Sequence, residues 1–213
     1  MVTLSQLAQL KRETRELDKV FLKSVLGQPP TPLAFAEEAA VCAFLVLSHG
    51  AVEEFVEAAF KDYVQKCFTL NSRQLLNRAS HLIMIQFAAD AAVALEQTRS
   101  SVPRDDAVIR MVPALYERKI CGTNNGVRTH NIKKLVTGAG LVWDKFENDC
   151  SEAIAALDAL GARRGDIAHS SAANRAATGG VSKALYPKEA RELVNTALAE
   201  LSAIVSFLAS PKH

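Results

Sequence analysis

Residues 151–169 read SEAIAALDALGARRGDIAH. Ile154, Leu157, Leu160, Ile167 and Ala168 share one face at the helical period, and Ser151 stands just ahead of them as an N-cap, so the stretch predicts an amphipathic helix ending near His169. Counting ~100° per residue from Ile154, the apolar face runs from roughly 220° to 360°; Arg164 falls at about 280°, inside it, and His169 at about 60°, at its edge. A guanidinium keeps its proton and is costly to bury without an anion. Arg164 therefore pairs with a carboxylate such as Glu53 or Glu54, lines a polar cleft, or receives an anionic ligand. His169 also suits a histidine that meets the dipole at a helix C-terminus. Gly161 and Gly165 are placed to distort the helix.

Working outward, the same periodicity predicts a final helix from about Lys188 to Leu208, carried by Leu193, Ala197, Leu201, Ile204 and Leu208. Between the two helices lies the small-residue tract 170–180. Upstream, helices are expected over Leu4 to Val25, Ala34 to Phe68, Ser72 to Gln97, Asp105 to Arg118 and, as a short one, His130 to Leu135 ending at Gly138 or Gly140. The run Gln28-Pro29-Pro30-Thr31-Pro32 stops the first, and Gly122 to Gly126 is turn chemistry. With Ala and Leu dominant and no alternating β-branched runs, the fold class is all-α. Residues 1–27 form an N-terminal helical extension and 34–210 the main helical bundle.

The 213 residues suffice for a core without staples. Cys42, Cys67, Cys121 and Cys150 form no C-x-x-C pair, and no histidine stands at zinc-finger spacing, so reduced thiols and no metal site are expected. The charged run from Lys11 to Lys19 lacks the apolar centre of a secretion signal, and Ala34 to Leu47 is too short to span a bilayer; the reading is cytoplasmic, with no membrane partner. A net charge of +2 does not mark a nucleic-acid binder, although Lys133 and Lys134, or Arg163 and Arg164, supply local basic pairs. His49, His81 and His130 are read as packed or solvated, and Trp143 and Phe146 as core.

An arginine and a histidine at this spacing suit cleavage of RNA by its own 2′-hydroxyl. Histidine titrates near neutrality and moves the proton, arginine offers a rigid fork to phosphate oxygens, and the route requires no metal or other cofactor. The spacing alone is not diagnostic, since R-x(4 to 6)-H arises about once by chance in such a chain. The wider string Arg163-Arg164-Gly165-Asp166-Ile167-Ala168-His169 resembles the R-R-N-x-I-A-H signature of HEPN ribonucleases, particularly the RiboL-PSP-HEPN group. Ser48-His49-Gly50 through Glu54-Phe55 to Tyr63, and Asn131-Ile132-Lys133-Lys134-Leu135 with Gly140, are similar to two further segments of that group, in the same order.

The resemblance implies an antiparallel HEPN-type bundle with additional helices. It implies Arg164 as the phosphate-binding arginine and His169 as acid or base, with Arg163 and Asp166 in support and Lys133 and Lys134 as weaker RNA contacts. It further implies a homodimer in which two copies of the motif build a composite site, RNA as substrate, and a toxin or defence role with an antitoxin or defence-system protein as partner. Gly165 departs from the usual polar residue. A non-catalytic HEPN-like RNA-binding or dimerisation module is the alternative.

Overall fold

A computed structural model describes residues 4–27, 33–69, 78–97, 104–169 and 186–210. Among them the chain forms eight α-helices and no strand: α1 (Leu4–Phe21), α2 (Phe35–Thr69), α3 (Arg78–Gln97), α4 (Arg104–Lys119), α5 (Thr129–Gly138), α6 (Trp143–Asp149), α7 (Ser151–His169) and α8 (Pro187–Ala209), with a 3-10 turn at Cys121–Thr123. The all-α expectation holds, and α7 has the predicted bounds. It runs unbroken through Gly161 and Gly165. The tract 170–180 lies outside the described residues.

α2 is the axis of the bundle, packed against α1, α3, α4, α5, α7 and α8. Its Phe44, Leu45, Val52, Val56, Phe60 and Val64 are buried on several sides of the helix, as an element enclosed by neighbours requires. α2 and α8 are long and apolar enough to cross a bilayer by length and composition, but their buried residues belong to one core with α7. α8 lays Val194, Leu198, Leu201 and Ile204 into that core, and its first turn is fixed by Pro187 and a capping interaction between Glu189 and the Tyr186 N–H.

Two expectations are corrected. The first helix ends at Phe21 rather than Val25; residues 22–27 turn, yet Leu22 and Val25 remain buried. α1 packs on α2 and α8, burying Leu7 and Leu10. The second is the short α6, where the periodicity predicts no helix. It delivers Phe146 into an edge-on contact with Phe207 at 5.0 Å and places Trp143 beside it, both buried as read from the sequence. Gly140, at φ +70°, makes the turn into α6 where a Cβ would lie 2.4 Å from the Ala79 carbonyl oxygen; only glycine fits there.

None of the four cysteines is joined in a disulfide. Burial pushes the thiols of Cys121 and Cys150 up to about 11 and about 12, so neither is a ready nucleophile.

Candidate functional site

Arg164 extends the buried stripe of Ala153, Leu157 and Leu160 one turn beyond the core, where α7 becomes half exposed. Among the described residues no carboxylate lies within ion-pair distance of its guanidinium, so the internal bridge to Glu53 or Glu54 is not formed. Glu54 is exposed, and Glu53 is committed elsewhere. Arg163 instead takes the neighbouring acid: its Nη1 lies 3.7 Å from Oδ2 of the exposed Asp166, one turn on. His169 is the last residue of α7, and its side chain lies outside the described residues.

Facing this end of α7 is a polar layer between α2 and the turn at 124–131. Glu53 on α2 accepts the backbone N–H of Gly126. Its other oxygen stands 3.7 Å from Nδ1 of His49, one turn earlier on the same helix. Gly126 has φ +122°, a conformation that favours glycine, and a Cβ there would press to 3.2 Å on the Asn131 amide and 3.7 Å on His49 Nε2. Asn124 donates its amide to Glu57 at 3.0 Å and to the Gly126 carbonyl, while Asn131 donates to the Asn125 carbonyl. The buried Asn124 Oδ1 and Ser48 Oγ have no partner among the described residues.

The turn is clamped to α7 as well. Asp158 Oδ1 accepts both the backbone N–H and the hydroxyl of Thr129 at 2.8 Å, which caps α5, and Arg128 Nε lies 3.7 Å away. These contacts hold the Asp158 carboxyl below its ordinary value, the Thr129 N–H first among the causes. Gly161 makes the approach close: a Cβ there would sit 2.7 Å from Arg128 Cγ and 3.2 Å from the Arg128 nitrogen.

His49 is the functional candidate that sequence reasoning passes over. It is buried as expected of a packed histidine, but packed within the field of Arg164. Burial, and then the Arg164 charge, lower it to about 4, against the opposite pull of Glu53. At 3.7 Å the carboxylate is beyond hydrogen-bond reach and already holds the Gly126 N–H, so desolvation wins and the imidazole is neutral at pH 7. The signal present in the sequence is a histidine on an apolar helix with a glutamate four residues on.

Lys133 and Lys134 both have internal partners. Lys133 Nζ lies 5.3 Å over the Trp143 ring, and Lys134 donates to the Thr123 carbonyl and hydroxyl. Among the described residues no three His, Cys, Asp or Glu side chains gather as a metal site.

Three segments far apart in sequence, 48–57, 124–131 and 158–164, are thus tied together, with Arg164 acting on His49. The RiboL-PSP-HEPN family model matches residues 8–210, nearly the whole chain, and the protein belongs to that family of all-helical domains associated with RNA cleavage or binding. The chain matches no curated protein and no solved structure.

Proposed function

We propose that this chain is a metal-independent endoribonuclease whose site is completed by a second copy of itself. The observation that carries the reading is Arg164, which has no carboxylate partner among the described residues. A half-buried guanidinium that leaves Glu53 to a backbone N–H keeps its fork for an external anion, and a phosphodiester suits that fork.

In the proposed reaction the RNA 2′-oxygen attacks the adjacent phosphorus while a base takes its proton. The P–O5′ bond breaks as an acid returns a proton to O5′, leaving a 2′,3′-cyclic phosphate and a 5′-hydroxyl. Arg164 neutralises charge growing on the non-bridging oxygens, worth on the order of 10²–10³ in rate for one well-placed donor. His169 acts as one proton-transfer group, and His169 of the second copy supplies the other. Arg163 and Asp166 shape the rim, and Lys133 and Lys134, held by Trp143 and Thr123, serve at most as outlying RNA contacts. A toxin or defence effector in the cytoplasm, held in check by a partner protein, is the biological role this chemistry fits.

The test compares wild type with Arg164→Ala and His169→Ala on mixed cellular RNA in EDTA. Cleavage by wild type alone supports the enzyme. RNA binding without cleavage by any of the three would instead favour the non-catalytic module.

A further inference from the structure

On another side of α2, the packing of α1 against α8 leaves a cleft of about 230 Å³. Lys11, Arg15 and Asp18 of α1 form one wall, Arg191 and Asn195 of α8 the other, with Phe44 beneath. Arg191 aims Nε and Nη2 at the same Asp18 oxygen, at 3.0 and 2.8 Å, which fixes both side chains across the gap. That pair cancels one charge of each sign.

Lys11 and Arg15 remain. They lie four residues apart, on one face of α1, and repel each other. Among the described residues neither has a carboxylate within ion-pair distance, and the exposed Asn195 stands opposite with a further donor. A cleft with two uncompensated cations, an amide donor and a preset guanidinium is a site for an anion. Its volume equals that of about eight waters at ~30 Å³ each, more than one compact ion fills. The second Asp18 oxygen is left as an acceptor, which suits hydroxyls carried by the same ligand.

We infer that the α1–α8 cleft binds a sugar phosphate, with Lys11 and Arg15 on the phosphate and Asp18 on a hydroxyl. Two sources share this chemistry: a free ribonucleotide, or one nucleotide of an RNA strand. The inference does not depend on RNA cleavage at Arg164.

The test uses the full chain and the doubly substituted K11Q/R15Q chain, whose glutamines keep helix propensity; matching urea midpoints establish that both fold. Adenosine monophosphate and inorganic phosphate are titrated by calorimetry. A short single-stranded RNA is titrated by anisotropy over a salt series, in a His169→Ala background so that the strand survives. If the ligand is a free nucleotide, adenosine monophosphate binds at least tenfold more tightly than inorganic phosphate, and K11Q/R15Q weakens it by tenfold or more. If it is a strand, K11Q/R15Q lowers the slope of log K against log salt by about 0.7, for the one phosphate no longer neutralised. Equal binding of inorganic phosphate and nucleotide, with the RNA slope unchanged, overturns the sugar phosphate. Both ligands unaffected by K11Q/R15Q overturns the site.

Discussion

Glu53 accepts the backbone N–H of Gly126, and that hydrogen bond separates the two fates open to Arg164. Had Glu53 turned to the guanidinium, the arginine would be a structural ion pair. Spent on the turn at 124–128, it leaves Arg164 with its charge unanswered.

Arg164→Ala should therefore be nearly silent in stability, costing under about 1 kcal/mol by urea unfolding, because it strands no buried carboxylate. A buried pair would cost about 3–5 kcal/mol. On RNA the same substitution should lower cleavage by on the order of 10²–10³, and Arg164→Lys should not restore it, since the planar fork is gone.

His49 should make the fold acid-sensitive. Its folded value of about 4 lies below the ordinary 6.5, so between those values the unfolded chain binds the proton more readily. The stabilisation is full above about pH 6.5 and is lost as pH falls through 4, up to about 3 kcal/mol in all. Wild type and His49→Gln, unfolded in urea at pH 7 and pH 4.5, should differ in how far the midpoint drops, with the variant dropping less. Equal drops would exclude His49 as the acid-sensitive group. Arg164→Gln should raise the pH at which the His49 imidazole titrates in the folded chain, because one source of its depression is gone; the imidazole resonances followed by NMR report that shift.

The two α7 glycines should behave oppositely. A Cβ at Gly165 meets nothing within 4 Å, so Gly165→Ala gains helix propensity and stabilises by about 0.5–1 kcal/mol. Gly161→Ala gains the same propensity but drives its Cβ into Arg128, and the net effect should be destabilising. Gly165→Asn, which supplies the polar residue usual in related signatures, should fold normally and raise the cleavage rate. Thermal melts and a cleavage time course measure both.

Asp158→Ala removes the cap on α5 and the clamp between α7 and the 124–131 turn. A loss of about 1 kcal/mol in urea unfolding is expected, as for other helix caps. Cleavage should fall with it, while Asp158→Asn, which keeps an acceptor for the Thr129 N–H, recovers much of the stability.

Much of this architecture is legible in the sequence where one helix carries its own evidence. Ser151 and the period of Ile154, Leu157 and Leu160 give both ends of α7, and the same wheel puts Arg164 on the inner face. α6 is seven residues long, too short for a periodic face to declare itself, and so Trp143 and Phe146 read as core without a helix to hold them. The segments around His49 and Asn131 stand out by resemblance, but their meeting depends on Gly126 at positive φ and on the close approach at Gly161. Those are tertiary facts. Nothing local in the sequence says that Glu53 will choose a backbone N–H over an arginine.

End-mapping of RNA incubated in EDTA with purified wild-type and His169→Ala protein bears most directly on the Arg164–His169 site. Wild type should release fragments ending in 2′,3′-cyclic phosphate and beginning with 5′-hydroxyl, and the variant should leave the RNA intact. Cleavage of equal extent by both proteins would contradict a ribonuclease site built on His169.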